Sequence, residues 1–346
     1  MSDQPQSKSH ASTKTSIYGL YKSAQDICRR PFLSTRPLQN FPLPLEIVYL
    51  IVEHFGPAEL LALCLTCKPF FHLFFPNELQ LSPEEKESFL LGLEKDTPNV
   101  YYCDHCVKLH PWRKSWASGS WPSSFQMHSS FGISVRGNPL WLSYGDARLV
   151  MNRHFYGPSY GLPLSRLSQS DVLAWDGFTV RSWTRGRIID DRLYFCRKSR
   201  GWKVLFGSKK EFRKRYLPWT ELGVCSHLHV KSQFYTTGTE GNIYIPCGQK
   251  GGMLEYAESG RCRKCPTEYE IKITRHFITG WHLSVTTYGL LGECRSVKDP
   301  VWVHMRDHFC WLYSFDDGEP SIKEKWLASV EEEKNEKEIR RRSLLR

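Results

Sequence analysis

The sequence predicts an α+β protein, in which a three-helix module is followed by a mainly antiparallel β-rich domain and a charged C-terminal helix. Between Phe41 and Phe75, prolines at helix-start positions divide runs of apolar residues at helical spacing. From residue 101 to about 325, short aromatic and β-branched runs are separated by Gly, Pro and Ser, as is typical of strands. In 322–346 acidic residues precede basic ones, which suits a solvated helix.

Length and composition narrow the class of protein. The chain has 346 residues, a net charge of +11 and 12 cysteines, so it is too long for one small disulfide-stapled domain. The polar segment Met1–Thr15 has no apolar stretch of the signal-peptide kind, and no asparagine opens an N-glycosylation motif. We therefore expect an intracellular protein, in the cytoplasm and/or nucleus, with reduced cysteines.

The chain divides into five segments. Residues 1–38 mix Ser, Thr, Lys and Arg with scattered prolines and predict a disordered tail. The helical module occupies 39–80, and a linker helix at 81–98 begins with a capping box of Ser82 and Glu85 around Pro83. The β-rich domain, expected to recognise a substrate, follows over 99–325 with no strong long helix in its pattern. The charged helix covers 326–346.

Each helix of the module at 39–80 begins at a proline: Pro44, Pro57 and Pro69. The helices are apolar on more than one side. Glu53 and Glu59, with the Gly56-Pro57 break between them, exclude a membrane span. So short a module cannot enclose all its large side chains, so some must face the rest of the chain or another protein.

The module resembles an F-box, the adaptor-binding module of SCF-type ubiquitin ligases. The resemblance rests on Leu43-Pro44-Leu45-Glu46-Ile47, Ile51, Leu60-Leu61-Ala62-Leu63, Leu65-Thr66-Cys67-Lys68 and Phe71. Further matches to a large fungal group of F-box proteins lie at 101–112, 148–154, 161–164 and 265–270. The C-terminal region of that group is mostly uncharacterised.

The resemblance implies a non-catalytic substrate receptor, which docks a Skp-type adaptor with its cullin complex and presents an unknown protein substrate. No membrane is involved. Apolar side chains of the module would enter an adaptor groove. The positions assigned to the contacts or their immediate support are Leu43, Pro44, Leu45, Ile47, Ile51, Leu60, Leu63 and Leu65.

The cysteines include three CxxC pairs. Cys64 and Cys67 lie in an apolar helix and suit packing. The other two pairs, Cys103 with Cys106 and Cys262 with Cys265, lie in turns like those of zinc knuckles, and together predict one structural zinc. Alternative ligands are His110 and the close pair Cys225 and His227, and unmetallated thiols in ordinary turns remain the other interpretation.

Two other classes of function stay open. A zinc-stabilised nucleic-acid-binding protein would use the basic cluster of 209–215 with aromatic neighbours such as Trp202 and Phe212. The same cluster also suits a nuclear import signal or a solvated face. A hydrolase or transferase on the β-rich domain is disfavoured, since the sequence has no Gly-rich phosphate loop, nucleophile elbow or kinase signature. His304 and His308 are expected to be surface residues.

Overall fold

The computed structural model describes residues 43–75, 81–113, 132–133, 142–175, 178–203, 222–232, 242–245, 256–276, 280–306 and 321–344. The chain forms two compact units, Met1–Trp112 and Arg113–Arg346, called here the N-terminal and C-terminal units. The architecture mixes helices with an antiparallel sheet, as the α+β prediction requires. Within the described ranges no helix is long and apolar enough to cross a bilayer.

From residue 43 the N-terminal unit has three short helices that start where the prolines predict. Helix α1 is Leu45–Val52 with Pro44 as its N-cap, α2 is Pro57–Thr66 with its proline in the first turn, and α3 is Lys68–Phe74 with Pro69 in its first turn. Proline suits these places because the first helical N–H groups have no intrahelical partner.

A longer helix and a hairpin follow in the described part of the N-terminal unit. Helix α4 is Pro83–Asp96, and the predicted capping box is confirmed, since Ser82 and Glu85 each accept a hydrogen bond from the other's backbone N–H. Strands β1, Val100–Cys103, and β2, Lys108–Pro111, pair antiparallel. The core joins helices to hairpin through Leu61, Leu65, Phe89, Leu90 and Tyr102.

A six-stranded antiparallel sheet dominates the C-terminal unit, in the order β11-β12-β13-β7-β6-β5. Its strands are β5 (Gln169–Trp175), β6 (Phe178–Ile189), β7 (Arg192–Lys203), β11 (Tyr256–Arg261), β12 (Thr267–His276) and β13 (Gly280–Gly292). The smaller strands are β3 (Gly132–Ile133), paired with β4 (Leu142–Ser143), and β8 (Leu222–Gly223), β9 (His229–Ser232) and β10 (Asn242–Ile245), which form a three-stranded sheet.

Within its described residues the C-terminal unit has the helices α5 (Tyr144–Tyr156), α6 (Pro300–Arg306) and α7 (Ile322–Leu344), with a 3₁₀ turn at Leu164–Leu167. The expectation that no strong long helix interrupts the β-rich region is wrong, because α5 has 13 residues. This helix has buried apolar residues on several of its sides, among them Leu149, Val150 and Met151. Its sequence therefore lacks the one-sided apolar stripe of a surface helix.

Side chains alternate between the two faces of the large sheet, and each face has its own core. On one face Val180, Ile271, Leu283 and Val285 pack with Val224, Val230 and Ile243 of the small sheet and its turn. On the other, Tyr194, Tyr288 and Leu290 pack with Ile322 and Trp326 of α7.

One boundary differs from the expected one, and the start of the C-terminal helix agrees with the charge pattern. The division between units falls after Trp112 rather than at residue 98, since the β1–β2 hairpin packs with the helices. The C-terminal helix begins at Ile322, where the charge pattern of 322–346 predicts it, four residues before the segment boundary set at 326. Ile322 and Trp326 both belong to the core beneath this helix. The tail of 1–38 lies outside the described residues.

Gly161 should tolerate no side chain. A Cβ placed there would lie 1.7 Å from the carbonyl oxygen of Leu149, a backbone atom that also accepts a hydrogen bond from Leu162. We expect Gly161→Ala to lower the free energy of unfolding by about 3 kcal/mol in urea titrations followed by circular dichroism. Gly92→Ala is the matched control: its site in α4 is open, so the same added methyl should be neutral or slightly stabilising. Equal effects of the two changes would contradict the packing described for Gly161.

Helix α7 is attached to the sheet through charged groups as well as its apolar side. The Lys323 ammonium lies 2.5 Å from a Glu270 carboxylate oxygen, and the Lys323 backbone N–H donates to Glu268 over 3.1 Å. Further along, Arg187 pairs with Glu333 and donates to the Ser329 carbonyl over 3.0 Å. The helix is therefore attached to the sheet at two points, each of which includes an ion pair.

Acid should weaken this attachment. The hydrogen bond from Lys323 lowers the pKa of Glu270 below its ordinary value, so the folded state holds the ionised form more strongly than the unfolded chain does. The resulting stabilisation is full above the unfolded pKa and is lost as pH falls through the lower, folded pKa. We expect Glu270→Gln to cost about 1 kcal/mol near neutral pH, and the gap from wild type to close in acid. Glu331→Gln, an exposed control on α7, should show neither effect.

Candidate functional site

Two turns of the C-terminal unit bring three cysteines and a histidine together. The ligand atoms of Cys225, His227, Cys262 and Cys265 all lie within 4.8 Å of one another. The three cysteines are 0–2 % exposed. Four ligands around one tetrahedral ion with metal–sulfur bonds of about 2.3 Å would have sulfur atoms about 3.8 Å apart. These four residues are therefore positioned to bind a metal ion, and we call them the metal centre.

Short backbone hydrogen bonds shape both turns. The turn between β8 and β9 closes when the Val224 N–H donates to the Leu228 carbonyl over 2.8 Å. The turn between β11 and β12 closes when the Cys262 N–H donates to the Thr267 carbonyl, also over 2.8 Å. Inside it, the Lys264 N–H points at the Cys262 sulfur over 3.3 Å. Such an N–H to sulfur bond stabilises a thiolate ligand.

Helix α6 packs behind the metal centre and fixes both turns. The Met305 carbonyl accepts a hydrogen bond from the Ser226 hydroxyl over 3.1 Å, and the His304 ring nitrogen Nδ1 donates to the Lys264 carbonyl over 3.0 Å. The Cys265 sulfur lies 3.2 Å from the Thr267 hydroxyl oxygen. His304 is thus a support of the centre rather than the isolated surface residue expected, whereas His308 lies outside the described residues.

The thiols of the centre influence one another strongly. Hydrogen bonds from Cys225 and Cys265 hold the pKa of Cys262 far below its usual range. Burial raises the pKa of both donors. One thiolate is therefore favoured among the three thiols, and deprotonating all of them requires a positive charge such as a metal ion.

A buried arginine lies close enough to respond to this charge. Arg197 is 2 % exposed, and burial lowers its pKa to about 10, whereas negative charge on Cys225 would act to raise it. Its Nε and Nη1 atoms have no hydrogen-bond partner among the described residues. A divalent ion bound by three thiolates and a neutral imidazole forms a site with a net charge of about −1. The positive charge of a neighbouring guanidinium balances that charge.

The metal centre uses only half of the expected ligand set. Cys262 and Cys265 are joined by Cys225 and His227, the close pair that the sequence offers as alternative ligands. Cys103 and Cys106 form a second cluster, together with His110, in the N-terminal unit. A four-ligand site completed by Cys225 and His227 needs no other thiolate. The site made of Cys103, Cys106, Cys262 and Cys265 stays a prediction that these clusters disfavour.

The residues that we expect to dock the adaptor differ in how far they are buried. Leu43, Pro44, Leu45, Ile47 and Ile51 are exposed, Leu60 and Leu63 are half-buried, and Leu65 is buried in the core of the N-terminal unit. Cys64 is also buried, in agreement with packing.

The exposed apolar side chains are concentrated in one part of the chain. Of the ten large hydrophobic residues that are most exposed in the described ranges, eight lie between 43 and 73: Leu43, Leu45, Ile47, Tyr49, Leu50, Ile51, Phe55 and Leu73. Most belong to α1, where Val48 alone is buried. The rings of Tyr49 and Phe74 of α3 meet edge to face, with centroids 5.1 Å apart, so the two helices share this apolar surface. We call the surface formed by these eight exposed side chains the α1 surface.

Comparison of the chain with family models, with curated proteins and with solved structures found no match in any of the three.

The basic cluster of 209–215, with Phe212, lies outside the described residues. Trp202 belongs to β7.

Proposed function

We propose that the chain is an F-box substrate receptor. The helices of 43–75 dock a Skp-type adaptor, and the C-terminal unit presents a substrate to an SCF-type ubiquitin ligase. The observation that carries the proposal is the α1 surface, since soluble proteins seldom leave so many large apolar side chains exposed without a partner. Its residues agree with the resemblance to the F-box at Leu43, Leu45, Ile47 and Ile51.

The division between exposed and buried positions suits an interface supported from behind. Aliphatic anchors that become fully desolvated dominate the affinity of a helix-in-groove complex. Leu65 is packed with Phe89 and Leu90 and holds α2 against α4. In this proposal the α1 surface supplies contacts, the buried residues keep the helices in place, and the chain itself performs no chemistry.

The proposed metal of the centre is zinc. Three sulfur ligands and one imidazole in a buried site are the donor set of structural zinc, with no position left for a substrate. The ion would clamp the β8–β9 turn to the β11–β12 turn and so fix the small sheet against the large one. Its role is to keep the substrate-presenting unit folded.

The direct test of the docking function is reconstitution. The full chain and a purified Skp-type adaptor, mixed at micromolar concentrations, should elute together from a size-exclusion column and bind with one-to-one stoichiometry in calorimetry. Separate elution together with no heat of binding would contradict the proposal. The chain without adaptor leaves the α1 surface uncovered and should therefore self-associate. This self-association gives an independent readout of the same surface.

A further inference from the structure

The β1–β2 hairpin carries a second cluster of metal-binding side chains. Cys103 ends β1, Cys106 follows in the turn, and His110 lies on β2, in the spacing Cys-x₂-Cys-x₃-His. Their ligand atoms lie within 4.8 Å of one another. Nothing in the docking function requires this arrangement.

The strand register explains why the three side chains meet. Tyr101 pairs with His110 across the hairpin, and Cys103 follows Tyr101 on the same face of β1. Val107 has a positive φ of 50°, the left-handed conformation that ends the turn and returns the chain into β2. Two thiols and an imidazole therefore converge on one side of the hairpin.

The hairpin is also held firmly, as a metal site requires. The buried Glu94 carboxylate of α4 accepts a hydrogen bond from the Tyr102 N–H over 2.9 Å. The Trp112 N–H donates to the Asn99 carbonyl over 3.0 Å and closes the open end. Val107 and Leu109 pack on the core around Phe89. The ligands thus stand on a fixed support and need little reorganisation to bind an ion.

We propose that Cys103, Cys106 and His110 form a second zinc site, separate from the metal centre of the C-terminal unit. Two thiolates and one imidazole are soft and borderline donors that select zinc over calcium or magnesium. Cys106 and His110 are half-buried, so the fourth coordination position is accessible to a water molecule. The ion would fix the hairpin that packs against α2 and α4.

Counting ions tests the site. Native mass spectrometry of the full chain, purified with zinc and without chelators, should show two zinc ions per chain. Cys106→Ser and His110→Asn should each reduce the count to one, and Cys262→Ser should remove only the other ion. Cys67→Ser, which changes a thiol of the same unit outside both clusters, should keep two ions.

Two outcomes would overturn the second site. In the first, Cys106→Ser and His110→Asn leave the count unchanged. In the second, wild type holds one ion and both Cys106→Ser and Cys262→Ser lose it, which would restore the four-cysteine site. Far-UV circular dichroism of each variant separates the loss of a ligand from unfolding. The first outcome would leave the metal centre and the docking function as proposed, because the other ion is counted separately. The second would replace the metal centre as well and would leave only the docking function as proposed.

Discussion

Replacing Cys262 with serine should release the zinc of the metal centre and lower the free energy of unfolding of the C-terminal unit by at least about 3 kcal/mol. Cys262 is one of four residues whose ligand atoms all lie within 4.8 Å of one another, so its loss leaves only three ligands for the ion. The two turns that it joins lie on different sheets. Urea unfolding followed by circular dichroism and metal analysis of the same sample measures both effects.

A matched control and a chelator make the result specific. Cys196→Ser changes a thiol of β7 that belongs to neither cluster, and it should keep the bound zinc. Removing zinc from wild type with a chelator should cost about as much stability as Cys262→Ser, and the chelator should affect that variant far less. Zinc retained at full occupancy by Cys262→Ser would show that these residues are not the ligands.

Local signals in the sequence predict local structure well in this chain. A proline fixes φ and lacks an N–H wherever it stands, so Pro44, Pro57 and Pro69 mark helix starts without any knowledge of the fold. The capping box at Ser82 is equally local. Among the short aromatic and β-branched runs that predict strands, those at 178–183, 193–195, 269–273 and 282–286 all lie in strands of the large sheet. Such residues suit a half-buried pleated surface.

Helix α5 shows where such signals fail. Its buried positions include Asp146, Arg148 and Asn152 as well as apolar residues, so polarity does not separate an inner from an outer face. The fold satisfies the charges of Asp146 and Arg148 with partners that include residues far along the chain. Asp146 pairs with Arg166 at 3.3 Å, and Arg148 donates to the Tyr144 hydroxyl and the Arg295 carbonyl. A periodic pattern cannot reveal partners so far away in the sequence.

The prediction of the full ligand set fails for a related reason. Each CxxC pair is recognisable alone, but which pairs meet depends on how the strands are ordered. Strand β9 follows the Cys225 turn and β11 leads into Cys262, and residues 233–255 separate the two strands along the chain. The sequence offers Cys225 and His227 only as a close pair, without the spacing of a zinc knuckle. Tertiary structure makes them the partners of Cys262 and Cys265.

The second large effect concerns adaptor binding. Leu43→Asp combined with Ile47→Asp should weaken binding to a Skp-type adaptor about 1000-fold, since two central anchors are each worth about 2 kcal/mol. Both side chains are more than 40 % exposed, so the variant should keep its fold and its thermal midpoint. Isothermal titration calorimetry measures the affinity, and circular dichroism on the same protein measures the stability.

Two comparisons decide whether such a loss belongs to the α1 surface. Val172→Asp and Leu327→Asp introduce the same charge at equally exposed apolar positions of the C-terminal unit, and they should bind the adaptor like wild type. Leu65→Ala should show the reverse pattern, because this buried side chain supports the helices and its loss costs stability of about 2–4 kcal/mol. Unchanged affinity of the double aspartate variant would exclude α1 as the docking element. A double variant that loses stability as Leu65→Ala does would show instead that Leu43 and Ile47 are covered within the chain itself.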